Sequence, residues 1–224
     1  MFRPVLALAI VVVVACSLPA AEKDGWIELF NGKNLDGWVI DGPTEFKDKA
    51  DANKMKPLWS VNDGLIRTPG NGFGFLRYDK EFKDFVFHVE YRLVKEKGSN
   101  SGIGIRTRVF DPKKSTDTRP SFFSYEVQLL DDADAKPTVH TTGSLYRYVS
   151  PTKTAHKPAP EWNTIEIECK GPNIRINFNG TDSLDFDQSK DEKLKSKPLS
   201  GYVCLQSHSK QAEFRNVRIK PITK

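Results

Sequence analysis

Apolar and polar residues alternate in short runs along most of the chain, and no stretch sustains the spacing of an amphipathic helix. The clearest run is Phe85 to Leu93. Phe85, Phe87, Val89 and Tyr91 point one way, and Val86, His88, Glu90 and Arg92 the other. Ile103 to Val109 and Phe123 to Leu129 follow the same logic. Turn residues punctuate the runs: Asn31-Gly32 follows Trp26 to Phe30, and Asn62-Asp63-Gly64 separates Trp59-Ser60-Val61 from Leu65-Ile66-Arg67. Trp162 to Cys169 and Asn173 to Phe178 read as a hairpin closed by a further turn at Asn179-Gly180. Tyr202 to Ser207 and Ala212 to Ile219 are the last strands. About a dozen short strands with turns at this spacing predict an all-β sandwich or barrel. Two polar stretches, Thr44 to Lys56 and Ser189 to Lys197, read as loops or short helices.

The first twenty residues break the pattern. Arg3 precedes a nearly continuous apolar run from Val5 to Cys16, and Ser17-Leu18-Pro19-Ala20 supplies a breaker and small residues before Glu22. This is the form of a secretory signal, too short for a membrane span, with cleavage expected near Ala20. Val13-Val14-Ala15-Cys16 also fits a lipoprotein signal with Cys16 lipidated, the one route by which the chain would meet a membrane. Residues 1–20 are thus read as a leader and 21–224 as one domain of an exported, periplasmic or extracellular protein. The whole chain has 224 residues, and 34 Lys and Arg against 29 Asp and Glu give +5. Removing the leader leaves about +4. With basic and acidic residues interspersed, this excludes a dedicated nucleic-acid binder. Cys169 and Cys204 remain, and either a disulfide or two buried thiols fits an exported protein.

Alternation also groups the polar side chains. Glu126 and Gln128 stand opposite Tyr125, Val127 and Leu129, and Gly104, Arg106 and Arg108 stand opposite Ile103 and Ile105. Gln206 and His208 share a side with Cys204, and Ser144, Tyr146 and Tyr148 alternate with Leu145 and Arg147. If these strands are neighbours, their polar sides form a patch holding a carboxylate, a guanidinium, amides, an imidazole and a phenol. Such a mixture suits a polyhydroxylated ligand, whose hydroxyls need paired hydrogen bonds and whose ring C–H groups need an aromatic face. The plainer alternative is a solvated sheet face, and His88, beside Glu90 and Arg92, is read as one of its members. Asp131-Asp132-Ala133-Asp134 has acids for a hard cation but lacks the glycine and spacing of an EF-hand loop, so a solvated acidic loop is expected. Gly70-Asn71-Gly72-Phe73-Gly74 leads into a strand rather than a helix, which argues against a phosphate loop. No Gly-x-Ser-x-Gly elbow is present.

Several motifs, in order, carry a specific resemblance. Leu29-Phe30-Asn31-Gly32-Lys33-Asn34-Leu35-Asp36-Gly37-Trp38 resembles the opening signature of the 3-keto-disaccharide hydrolase domain family. Further matches are Asn100-Ser101-Gly102-Ile103 leading to Arg106, Tyr125 to Asp131, Thr142-Gly143-Ser144-Leu145-Tyr146, Glu161-Trp162-Asn163, Leu205-Gln206-Ser207-His208 and Phe214-Arg215-Asn216-Val217. They span essentially the whole mature chain. The resemblance implies a concanavalin-like jelly-roll of two antiparallel sheets and an enzyme that cleaves glycosides already oxidised at C3.

Ordinary glycosidases use two carboxylates, whereas here Gln128 stands where a second could have accompanied Glu126. A 3-keto group acidifies the C2 proton, so a base can remove it, the C1 substituent can leave, and water can add. The resemblance implies His208 as base, Arg106 or a divalent metal ion as holder of the oxyanion, and Glu126 as orienter of His208, metal ligand or acid. Tyr146 is a second candidate acid. Asn100, Gln128 and Gln206 would fix sugar hydroxyls, His140 would line the same cleft, and Trp38 would touch the sugar ring. The competing functions are a non-catalytic carbohydrate-binding module on the same sandwich and a structural surface domain. The latter is favoured if Arg106, Glu126 and His208 lie on separate faces.

Overall fold

The computed structural model describes residues 24–223 apart from 49, 52 and 96. The leader, its cleavage near Ala20 and the Cys16 signal lie outside the described residues. In chain order the strands are β1 (Ile27–Glu28), β2 (Trp38–Asp41), β3 (Glu45–Lys47), β4 (Met55–Pro57), β5 (Ser60–Asn62), β6 (Leu65–Thr68), β7 (Gly74–Tyr78), β8 (Phe85–Leu93) and β9 (Asn100–Thr107). After two single-turn helices, α1 (Ser115–Thr118) and α2 (Pro120–Phe123), come β10 (Tyr125–Leu130), β11 (Asn163–Lys170), β12 (Asn173–Phe178), β13 (Thr181–Asp187), β14 (Tyr202–Ser207) and β15 (Ala212–Pro221).

The strands form a jelly-roll sandwich of two antiparallel sheets. The larger has the order β13-β12-β11-β8-β15-β6-β5, with β1 also on β15, and the smaller has the order β10-β9-β14-β7-β2. β3 and β4 make a separate ribbon where the sequence suggests a loop or short helix. Phe46 is the one apolar residue of β3, too weak a pattern to read. The expected hairpins are present. Asn62 pairs with Leu65 across Asp63-Gly64, and Phe178 with Thr181 across Asn179-Gly180. Both residues of each turn have positive φ, as two-residue hairpins require.

The inward side of β8, Phe85, Phe87, Val89, Tyr91 and Leu93, is buried with Ile103, Ile105, Val127 and Leu129 of the facing sheet. Each such side chain contributes roughly 1.5–3 kcal/mol on burial. The two cysteines among the described residues are unbonded: Cys169 lies in this core, and Cys204 on the outer side of its sheet beside Phe75 and Phe110.

Two expectations fail for local reasons. Trp38, expected at the sugar ring, faces the core. It pairs with Tyr78, packs edge-on to that ring at 5.3 Å, and donates its indole N–H to the Leu29 carbonyl at 2.6 Å. Strand parity turns Trp38 and Ile40 toward the core and Val39 and Asp41 outward. The turn before it is held by Asn31 Oδ1, which accepts from the backbone N–H of Lys33 and Asn34 at 2.8 and 3.0 Å. The opening motif is thus a device for seating Trp38. His88 is not solvent-facing either: it is 7% exposed, 3.0 Å from Glu166 through Nδ1, and covered edge-on by Trp26.

Candidate active site

The outer face of the smaller sheet is assembled from β10, β9 and β14. Glu126 pairs with Gly104, Gln128 with Gly102, and Cys204 with Gly104, so Glu126, Gln128 and Gln206 share one side with two glycines between them. Gln206 donates to Glu126 Oε1 at 2.8 Å. The glycines are required by this closeness. A Cβ on Gly102 would lie 3.1 Å from Glu126 Oε1 and 3.3 Å from Gln206 Oε1, and one on Gly104 would lie 2.4 Å from Cys204 Sγ.

The segment after β10 extends the face. Gly143 donates to the Gln128 carbonyl at 2.9 Å, Gln128 to the Ser144 carbonyl at 3.1 Å, and Tyr146 to the Glu126 carbonyl at 2.8 Å. Val127 bridges Leu145, so Leu145 turns inward and Ser144 and Tyr146 turn outward beside Gln128 and Glu126. Tyr146 is half-buried and meets the exposed His140 ring edge-on at 5.3 Å, which brings His140 to the rim. The acidic loop before this segment is a tether rather than a cation site. Asp132 accepts from Thr142 Oγ1 at 2.6 Å and lies 3.0 Å from His156, while Asp131 accepts from the backbone of Lys97 and Ala159.

Arg106 is absent from this face. Its φ of 53° and the register shift between Tyr202 and Cys204 mark a bulge, which turns the side chain between the sheets. It is fully buried and donates to the Gly171 and Lys83 carbonyls at 2.8 and 3.4 Å, with Asp84 at 3.9 Å. It ties the sandwich end together and cannot meet a ligand beside Glu126.

The cation at the site is Arg119, which the sequence reading passed over because it sits between α1 and α2 with no strand parity to place it. Its guanidinium stacks on Phe73 at 4.4 Å, and its Nε is buried without a hydrogen-bond partner. Burial pushes the Glu126 carboxyl up to about 7, against the lowering effects of Gln206, Arg119 and Ser121. His208 stands exposed at the rim with its ring edge-on to Phe73 at 5.6 Å. Partial desolvation first, and the Arg119 charge second, pull its imidazole below the usual value, so it is neutral at pH 7. Phe73, presented by the Gly-rich loop, is therefore the aromatic group here in place of Trp38. A Gly-flanked aromatic was the available signal.

Asn100 begins β9 on the same side as Gly102, and its Oδ1 is buried without a partner, as are Gln128 Oε1, Gln206 Oε1 and Ser144 Oγ. Buried polar atoms without partners are costly, and a ligand rich in hydroxyls would satisfy these. For a metal the residues fit poorly. Among the described residues no three His, Cys, Asp or Glu side chains gather, and Glu126 stands among neutral amides with His208 and His140 only at the rim. The structure thus brings together Glu126, Gln206, Gln128, Asn100, Tyr146 and His208, with His140 at the edge, and removes Arg106 and Trp38.

A family model described as a 3-keto-alpha-glucoside-1,2-lyase-like domain matches residues 25–220. A curated relative, the 3-keto-disaccharide hydrolase of Bacteroides thetaiotaomicron, is 26% identical over 89% of this chain and 79% of its own length. Among solved structures, a candidate glycosyl hydrolase from Parabacteroides distasonis superposes with a TM-score of 0.69 at 24% identity, covering 89% of this chain and 95% of that one. A carbohydrate-binding module from Bacillus subtilis has a TM-score of 0.51 at 13% identity, covering 81% of this chain and 94% of that one. These likenesses agree with the sandwich fold.

Proposed function

The chain belongs to the 3-keto-alpha-glucoside-1,2-lyase-like domain family, and from that premise we propose that it is an exported enzyme that cleaves 3-keto-glycosides by elimination and hydration. The observation that carries this reading is a buried carboxyl, Glu126, bonded to Gln206 at 2.8 Å and raised to about 7, with the Arg119 cation acting both on it and on the rim imidazole of His208. A lectin-like module needs hydrogen-bonding groups but no carboxyl held near neutrality, which is the poise of proton transfer.

In the proposed reaction neutral His208 accepts the C2 proton, and the C–H electron pair forms the enolate between C2 and C3. Arg119 faces the oxyanion, the role first expected of Arg106. The C1–O bond then breaks, its electron pair leaves on the glycosidic oxygen, and protonated Glu126 supplies the proton. Water adds across C1 and C2 to give the free 3-keto sugar. Tyr146 stands beside Glu126 as a hydroxyl partner of the leaving group, and Asn100, Gln128 and Gln206 hold ring hydroxyls against Phe73.

The test is turnover of a 3-keto-glucoside and of its unoxidised parent. We expect cleavage of the first only, and loss of about 10²–10⁴-fold in both His208→Ala and Glu126→Gln with the fold intact. Wild-type turnover by His208→Ala would remove it as base. Saturable binding of the glycoside without product in the wild type would establish the binding-module reading instead.

A further inference from the structure

A second concave site lies away from Glu126, Gln206 and His208. A cleft of about 780 Å³ is lined by Arg108, Lys114, Lys193 and Lys197, with Phe122 and Tyr148 as its aromatic walls. Asp117 is the single acidic residue of its lining. Among the described residues none of the four cations is in an ion pair, although lysines at the same surface, such as Lys195 with Glu192, do form them. Arg108 is spent on the Asp117 backbone carbonyl and the Phe123 ring face at 3.9 Å. Lys197 donates to the Phe122 carbonyl at 2.7 Å and lies 4.6 Å from the Tyr148 ring centre and 5.5 Å from that of Tyr125. Half-buried with no carboxylate beside it, its amine is pulled down to about 8 by desolvation. An unpaired cation is costly in such a place, and an arriving anion would relieve that cost.

We propose that this cleft is a second saccharide subsite that selects an acidic sugar, its carboxylate received by Lys197 and the neighbouring cations and its ring held against Phe122 and Tyr148. The aromatic walls distinguish it from a mere basic patch, because a pyranose presents C–H groups to a ring face while its acid group reaches the ammonium. One turn of helix joins it to the candidate active site: Ser121 of α2 holds Glu126, and the next residue, Phe122, lines the cleft. The inference rests on the reading of the chain as carbohydrate-active.

The experiment is calorimetric titration of the protein with a glucuronate-terminated disaccharide, the matching neutral disaccharide, sulfate and inorganic phosphate. The acidic disaccharide should bind at least about tenfold tighter than the neutral one at low ionic strength and weaken as salt is raised. The double variant Lys114→Ala, Lys193→Ala leaves the Lys197 packing in place and should lose about tenfold of that affinity while turning over a neutral 3-keto-disaccharide normally. Equal affinity for both disaccharides, no binding of the acidic one, or binding unchanged in the variant overturns the proposal. Sulfate or phosphate binding as tightly as the acidic disaccharide overturns its saccharide part and makes this an inorganic-anion site. Glu126→Gln separates the two readings: it should abolish turnover and leave acidic-disaccharide binding intact. A wild type that binds the acidic sugar but turns over nothing would refute the catalytic reading alone.

Discussion

The two sheets each turn a polar face outward, and those faces are built differently. On the larger sheet charges answer one another: Glu213 takes Arg67 and Arg92 at 2.9 and 2.7 Å, Glu90 takes Arg215 at 2.7 Å, and His88 takes Glu166 at 3.0 Å. On the smaller sheet the β7–β2 side is paired too, Arg77 with Asp41 at 2.9 Å, but on the β10–β9–β14 side neutral amides surround Glu126, and Asn100 Oδ1, Gln128 Oε1, Gln206 Oε1 and Ser144 Oγ are left without partners. On the larger sheet Glu213 and Glu90 are each answered by a cation, and Arg218 Nε is a buried donor left without a hydrogen-bond partner. A face with orphaned acceptors beside a carboxyl near neutrality is finished only by something that binds it.

That contrast is broken or sharpened most strongly by exchanging the two arginines. Arg119→Met should cost about 10²–10³-fold in kcat/KM, the scale of losing one oxyanion donor, with little change in Tm. Arg106→Met should do the reverse. It removes the donor to the Gly171 and Lys83 carbonyls and should lower stability by roughly 1–3 kcal/mol, read by denaturant unfolding. Equal kinetic damage from both would refute the division between site and scaffold.

The next effect is linkage at Glu126. Its carboxyl binds a proton more tightly when folded, near 7 against an ordinary 4.5, so the folded state holds more protons than the unfolded one between those values. Stability should therefore fall as pH rises from 4.5 toward 7, by about 3 kcal/mol from this residue alone. Glu126→Gln should flatten that slope in urea titrations at successive pH values, and an unchanged slope would deny the buried carboxyl its raised pKa. The same poise shapes activity, which should decline above about pH 7 as Glu126 ionises and at acid pH as His208 protonates.

The smallest effect concerns Trp38. Trp38→Phe removes the indole bond to Leu29 and should cost about 1 kcal/mol of stability while leaving KM unchanged. A raised KM would return Trp38 to the ligand.

The legible parts of the molecule were those governed by backbone period. Alternation in Phe85 to Leu93 named its buried side, Asp63-Gly64 and Asn179-Gly180 named their hairpins, and the parity of Glu126 with Gln128 and of Gln206 with His208 named most of one face. Where parity breaks, reading breaks with it. One bulge at Arg106 moves a guanidinium from outside to inside, and Arg119 lies where no period operates.

The sequence by itself thus determined most of the strands, their inward sides, the hairpin turns and the grouping of Glu126 with Gln128 and of Gln206 with His208. Only the tertiary structure decided that β10, β9 and β14 are neighbours, that Phe73 and Arg119 close over them, and that Trp38 is sealed in the core. Period-two alternation is local, whereas strand order, bulges and the packing of loops on a sheet depend on contacts between residues far apart in the chain.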